Sequence, residues 1–317
     1  MAKTWKTAVF AGLLAVALLL LGKSVSDGGG DEAFARSPSS SADPDASMAE
    51  MMMALPEVPK EMQDPLLDPM MLSQMHTHDG VQQESDAERQ VRIEWEWDGV
   101  PEAGVQARLT LTITGGDGLP VADYEINHEK KLHLIAISRD LSQFVHVHPD
   151  YEGQGKFRIG MTFPTGGEYR LFADFMPIGM IQLTRAERIF VQGAEPEGEA
   201  AVQASKRLKT VVRGMEVELH LGHLMAGMPS TIAYTFRDRK TGKPVRDLEP
   251  YLGAVGHVVA TDPLVERYIH VHPVNALSSG PQALFSIDFP ESGTYKLWGQ
   301  FKRGGEVFVV PFVLEVP

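Results

Sequence analysis

KKLHLIAISRDLSQFVHVHP at residues 130–149 recurs without a gap as AVGHVVATDPLVERYIHVHP at residues 254–273. Two neighbouring stretches repeat with it. AGVQARLTLTI (103–113) matches AGMPSTIAYTF (226–236), and FPTGGEYRLFADF (163–175) matches FPESGTYKLWGQF (289–301). Three segments duplicated in the same order indicate tandem copies of one unit. Residues 91–193 and 206–317 therefore read as two domains of about 100 residues each, joined by the acidic linker AEPEGEAAVQAS at 194–205.

The copies have the periodicity of strands. Val91, Ile93, Trp95 and Trp97 alternate with Arg92, Glu94 and Glu96, and Leu109, Leu111 and Ile113 alternate with Thr110, Thr112 and Thr114. Ile232, Tyr234 and Phe236 follow the same rule. Period-two alternation marks half-buried antiparallel strands. Turn chemistry separates them at 115–118 (GGDG), 166–167 (GG), 241–244 (TGKP) and 304–305 (GG). No long 3.6-residue pattern intervenes, so the expected class is all-β: two tandem antiparallel β-sandwiches, Ig-like or cupredoxin-like.

Composition narrows the chemistry. The chain has 317 residues, 29 Lys plus Arg against 42 Asp plus Glu, and a net charge of −13, which sets it against phosphate backbones and excludes nucleic acid as a partner. It has no cysteine, which removes disulfides, thiol catalysis, iron–sulfur clusters and thiolate copper sites. Any metal must be held by His, Met, Asp or Glu.

Each repeat carries H-x12-H-x-H-P: His133, His146, His148 and Pro149, then His257, His270, His272 and Pro273. Residues two apart in a strand share a face, so His146 lies beside His148 and His270 beside His272. A turn around Asp140–Leu141 is expected to bring His133 opposite His146, and one around Asp262–Pro263 to bring His257 opposite His270. Opposed residues have Cβ atoms about 4.5–5.5 Å apart, so each repeat is expected to gather three imidazoles, enough for Zn²⁺ or Cu²⁺ with a further position open. Asp174 is a candidate fourth ligand or supporting group in the first repeat, with Gln300 at its place in the second. Met176, Met180, His223, Met225 and Met228 are weaker candidates. The competing reading is that the histidines bond to backbone and pin a hairpin. His128 and His220, outside the motif, read as surface residues.

The N-terminal 90 residues have different physics. Lys3 and Lys6 precede the apolar run 8–22, about 15 residues long, which reads as a signal peptide or N-terminal membrane anchor over 1–23. The positive flank stays inside, so the bulk of the protein is expected outside the cytoplasm, secreted or membrane-anchored. Residues 24–90 hold 14 acids against 3 basic residues and are rich in Ser, Pro and Gly, so they read as a disordered linker. Eight of the 15 methionines fall between Met48 and Met75, followed by His76 and His78. Met75, His76 and His78 are candidate soft ligands for Cu(I). The alternative is methionine used as adaptable packing.

The segment GHVVATD…YIHVHP, followed by FPESGTYKLWGQF, resembles bacterial exported proteins with tandem Ig-like or YtkA-like domains. The resemblance covers about 91–317. It implies a module associated with copper or other heavy-metal handling and no defined reaction. The leading expectation is an extracytoplasmic protein that binds copper, or zinc, and buffers or delivers it at the cell surface. A membrane metal transporter or an oxidase assembly factor is the expected partner. The alternatives are a structural Ig-like tandem without metal, or a copper- or zinc-dependent enzyme. Against the last, no Ser-His-Asp order, paired-carboxylate motif or phosphate-binding glycine loop stands out.

Overall fold

Arg92–Trp97 (β1) pairs antiparallel with Gln106–Thr114 (β2), setting Trp95 opposite Leu111 and Trp97 opposite Leu109, as the alternation predicts. The computed structural model describes residues 57–62, 84–196, 202–205 and 207–317, nearly all of them in strands and their connections. In the first repeat, β1 and β2 join Asp150–Gly153 (β5) and Lys156–Thr162 (β6) in one sheet of order β1-β2-β6-β5. The second sheet takes Leu132–Ser138 (β3), Phe144–Val147 (β4), Gly167–Phe175 (β7) and Leu183–Val191 (β8) in the order β4-β3-β7-β8. Leu109, Leu111, Leu134, Ala136, Phe157 and Leu171 close the core between them. This is a β-sandwich.

The second repeat builds the same layers. Lys209–Val212 (β9), Met215–Leu221 (β10), Pro229–Asp238 (β11) and Gln282–Asp288 (β14) form one layer, and His257–Thr261 (β12), Gly293–Arg303 (β15) and Glu306–Val316 (β16) form the other. Tyr268–Pro273 (β13) pairs with both β12 and β14 and links the layers into one eight-stranded order. In the first repeat the equivalent stretch is split, β4 pairing with β3 and β5 with β6.

Antiparallel strands at a surface bury one face, yet all seven residues of β3 and all five of β12 are buried. Leu134 and Ala136 face their own core, as do Val258 and Ala260. Ile135, Ile137 and Val259 face the other way, into a separate cluster with Phe172 and Trp298 that draws on both repeats. The two sandwiches are packed together on these faces with matched contacts. Phe144 of the first stacks on Trp298 of the second at 5.2 Å, and Tyr268 of the second stacks on Phe172 of the first at 5.3 Å. Phe144 corresponds to Tyr268 and Phe172 to Trp298 in the duplication, so the interface is approximately two-fold.

Part of the stretch read as disordered is ordered against the sandwiches. Ser85 and Glu88 form a capping box on the one-turn helix Asp86–Arg89, and Glu88 Oε1 accepts from the Ile181 N–H at 2.8 Å. Val58 and Met62 are buried against Ala233 and Leu284. Those two residues point away from their own core, so the physical reason is plain: an apolar patch on the outer sheet takes an apolar cover. Met62, one of the eight clustered methionines, is therefore a packing residue. The expected signal or anchor segment 1–23, Met75, His76 and His78 lie outside the described residues. Among the described residues, no helix is long and apolar enough to cross a membrane.

Candidate metal centre

The histidine-bearing ends of β3 and β12 lie at one edge of the surface between the sandwiches, and seven of the eleven histidines gather there. His133, His146 and His148 form one group, each offering a ring nitrogen within 4.8 Å of the others. The register differs from expectation. Leu134 pairs with Val147 and Ile135 with His146, which puts His133 in line with His148 and diagonal to His146. The turn itself is centred on Asp140–Leu141 as expected, with the Ser138 N–H bonded to the Gln143 carbonyl and four residues between, and a turn so centred sets residue 133 against 148 rather than 146. All three rings still share a face.

Two of the three rings in the first group have a partnered outer nitrogen. The His133 ring is buried and its Nε2–H donates to the Asn127 carbonyl at 3.0 Å, leaving a lone pair on Nδ1. His146 Nδ1 donates to Gln300 Oε1 at 2.6 Å, leaving its lone pair on Nε2. Those two lone-pair atoms face each other at 3.1 Å. His148 Nε2 is buried with no hydrogen-bond partner among the described residues. A ligating histidine donates its far N–H to a carbonyl or carboxylate and turns its other nitrogen inward. His133 and His146 have that arrangement.

The second group departs from the repeat. The expected triad was His257, His270 and His272, but the ring nitrogens that come within 4.8 Å belong to His128, His270 and His272. His257 occupies the place equivalent to His133, and its Nε2–H donates to the Tyr251 carbonyl at 3.1 Å. The ring of His128 packs edge-on to His257 at 4.5 Å and stacks on His270 at 5.5 Å. The turn of the second hairpin sits later than Asp262–Pro263, unlike that of the first. Val258 pairs with Val271 and Val259 with His270, which centres it on Leu264–Val265 and sets His257 in line with His272. His128 is no surface residue: its Nε2 is buried and unpartnered among the described residues.

Asp174 lies directly across from His133 on β7, as Gln300 lies across from His257 on β15. Each side chain serves the other repeat. Asp174 Oδ2 accepts from His270 Nδ1–H at 2.6 Å and from the Tyr268 hydroxyl at 3.1 Å, while Oδ1 accepts from Gln182 at 2.7 Å. Gln300 meets His146 of the first repeat. Asp174 is thus a supporting group behind a second-repeat histidine rather than a fourth ligand in its own. Gln182 and Tyr268 escape the motif because neither is a typical ligand. Met180 packs on the first core. His220 is half-buried at Thr235, 3.0 Å from its hydroxyl, rather than solvated.

Five of the seven imidazoles are held neutral. Burial pushes His146 and His148 down to about 3, with His133 adding to the repulsion in both. Burial and the neighbouring imidazoles take His128 to about 4 and His257 to about 2. Burial also lowers His133, against the Asn127 carbonyl and Asp174. Burial alone would raise the Asp174 carboxyl, but His270 and Gln182 outweigh it and hold it below the ordinary carboxylate value. Near neutral pH His128, His133, His146, His148 and His257 are therefore unprotonated, beside the buried Asp174 carboxylate. That donor set suits Cu²⁺ or Zn²⁺.

No curated protein sequence matches the chain. Solved structures with a similar arrangement include a tetra-tandem repeat from the extending region of a large adhesion protein (11% identity, covering 71% of this chain and 49% of that one, TM-score 0.25). Others are the bacterial integrin-binding protein invasin (13%, 71% and 39%, 0.21) and a two-domain fibronectin type-III segment of chicken tenascin (12%, 70% and 98%, 0.22). The chain spans half or less of the first two. Both sandwiches match a single family profile, over residues 86–188 and 209–317, and the chain therefore belongs to the family described as a domain of unknown function, DUF8832.

Proposed function

We propose that this protein is an exported metal-binding module that takes up copper, with zinc as the second candidate, through His133, His146 and His148, and buffers or delivers it outside the cytoplasm. The observation that carries this reading is the buried His148 Nε2, unpartnered among the described residues, beside two imidazoles whose outer nitrogens are engaged by Asn127 and Gln300. A buried polar nitrogen without a partner costs about 1–3 kcal/mol. A bound ion removes that cost at His148 and the lone-pair opposition between His133 and His146. Imidazole donors bind Cu²⁺ more tightly than Zn²⁺ in the general order of divalent affinities, and the methionines of 48–75 other than Met62 supply soft donors of the kind that hold Cu(I). The histidine-centred resemblance to exported heavy-metal-handling domains points the same way, with a transporter or assembly factor as recipient.

The purely structural reading assigns the histidines to fixing the hairpins. It accounts for the carbonyl bonds of His133 and His257 but leaves His128 and His148 without a role. No reaction is assigned. Metal analysis of the full chain isolated from its own cell envelope tests the proposal. Copper at a stoichiometric level is expected, zinc alone would reassign the cargo, and protein free of both would contradict it.

A further inference from the structure

We infer that the chain holds a second ion between its two repeats, bound by His128 of the first sandwich together with His270 and His272 of the second. The inference rests on the metal-binding reading above and extends it from one site to a two-ion centre that neither repeat contains alone.

The ligand set is assembled across the interface. His270 and His272 lie two apart on β13 and share a face, with ring centroids 4.9 Å apart. His128 comes from the other repeat, its ring nearly parallel to that of His270 at 5.5 Å. Two independent features mark the group as more than packing. The His128 Nε2 is buried and has no hydrogen-bond partner among the described residues. The far nitrogen of His270 is engaged by the buried Asp174, so its Nε2 is left to face inward as a donor atom. A carboxylate behind a histidine is the usual support for a metal ligand, fixing the tautomer and raising basicity.

The backbone that carries His128 supports a role for its side chain. Asn127 and Lys130 exchange backbone hydrogen bonds around a two-residue turn, in which His128 has φ +48° and Glu129 φ +65°. The equivalent turn of the second repeat holds Leu252 at φ +52° and Gly253 at φ +73°. A leucine at the corresponding position shows that this turn does not require histidine. The two turns approach each other, with Glu129 Cγ 3.4 Å from where a Cβ on Gly253 would stand. His128 therefore projects into the second repeat and takes the place beside His270 that the duplication reserves for His257. The same crossing runs the other way, since Gln300 of the second repeat supports His146 of the first. Each group of three draws on both sandwiches, for a ligand in one case and for a supporting residue in the other.

The test is a titration of the full chain with Zn²⁺ and with Cu²⁺, followed calorimetrically and by metal content after desalting. Two ions per chain are expected. His128→Leu copies the residue that repeat two carries in the same backbone conformation, so it is expected to melt like wild type in EDTA and to bind one ion. His148→Ala is expected to bind the other one, and the double variant none. If His128→Leu proves unstable, His272→Ala addresses the same site from the other repeat, again with one ion expected. Two ions retained in the His128 and His272 variants would place the second ion elsewhere and overturn the inference. One ion in wild type, lost with His148→Ala and untouched by His128→Leu, would also overturn it while leaving the first site standing. No saturable uptake by wild type would instead defeat the metal reading on which it rests.

Discussion

Asp174 of the first sandwich accepts the Nδ1 hydrogen of His270 in the second at 2.6 Å. At the equivalent place His146 meets the neutral amide of Gln300 at the same distance. The one buried negative charge at the centre therefore supports the second-repeat histidines, although it is carried on the first repeat.

Asp174→Asn should weaken one site selectively. Loss of such a supporting carboxylate typically costs 10–100-fold in metal affinity, and the loss should fall on the ion held by His128, His270 and His272. Zn²⁺ titration resolving the two sites checks this. An equal loss at both, or none at either, would contradict the crossed arrangement.

Gln300→Glu makes the reciprocal change. It sets a carboxylate against His146 Nδ1, and the His133–His146–His148 site should gain roughly tenfold in affinity by the same effect. The apo protein should lose stability, because the new charge sits at a buried position without an ion to offset it. Competition against a chelator of known affinity measures the first, and a denaturant melt in EDTA the second.

Most of the fold is legible in the sequence because alternation and duplication are local signals. Val91–Trp97 and Leu109–Ile113 read directly as strands, and His146 and His148 share a face on any strand reading. The register of the hairpins is not legible to within two residues. Leu141 and Val265 adopt positive φ at the turns, where no glycine or asparagine announces it. The crossing of the sites is hidden by the duplication itself, which aligns every histidine with its own repeat. A signal for it exists in β3, where Ile135 and Ile137 share the face of His133 and leave no polar side for solvent. That pattern marks a strand covered on both faces, and the cover is the other repeat.

Acid should destabilise the apo protein steeply. His128, His146, His148 and His257 are held at about 4, 3, 3 and 2 against an ordinary value of 6.5. Between pH 6.5 and these values the unfolded chain binds more protons than the folded one, so stability falls as pH drops through that window and is flat above it with respect to these groups. Denaturant melts in EDTA from pH 8 to pH 4 measure the slope. A profile unchanged between pH 7 and pH 5 would mean the histidines are solvated rather than buried.

Trp298 joins the sandwiches through its stack on Phe144 and is 3% exposed. Trp298→Ala should cost about 3–5 kcal/mol. It should also loosen the approach of the two histidine groups, so the affinity for the inter-repeat ion should fall with stability. Thermal melts and Zn²⁺ titration of the same variant check both. Reduced stability with unchanged binding at both sites would separate the apolar interface from the metal centre.

If His148 serves to hold an ion, paired melts of wild type and His148→Ala reveal it. His148 Nε2 has no hydrogen-bond partner to lose among the described residues, so in EDTA the variant should unfold within about 1 kcal/mol of wild type. With Cu²⁺ at a hundredfold excess over Kd, one bound ion raises wild-type stability by about 2.7 kcal/mol, and His148→Ala should lose the part of the gain that comes from its own site. A wild-type transition unmoved by Cu²⁺ and Zn²⁺, together with a large loss in the variant in EDTA, would make His148 a packing residue and contradict the account.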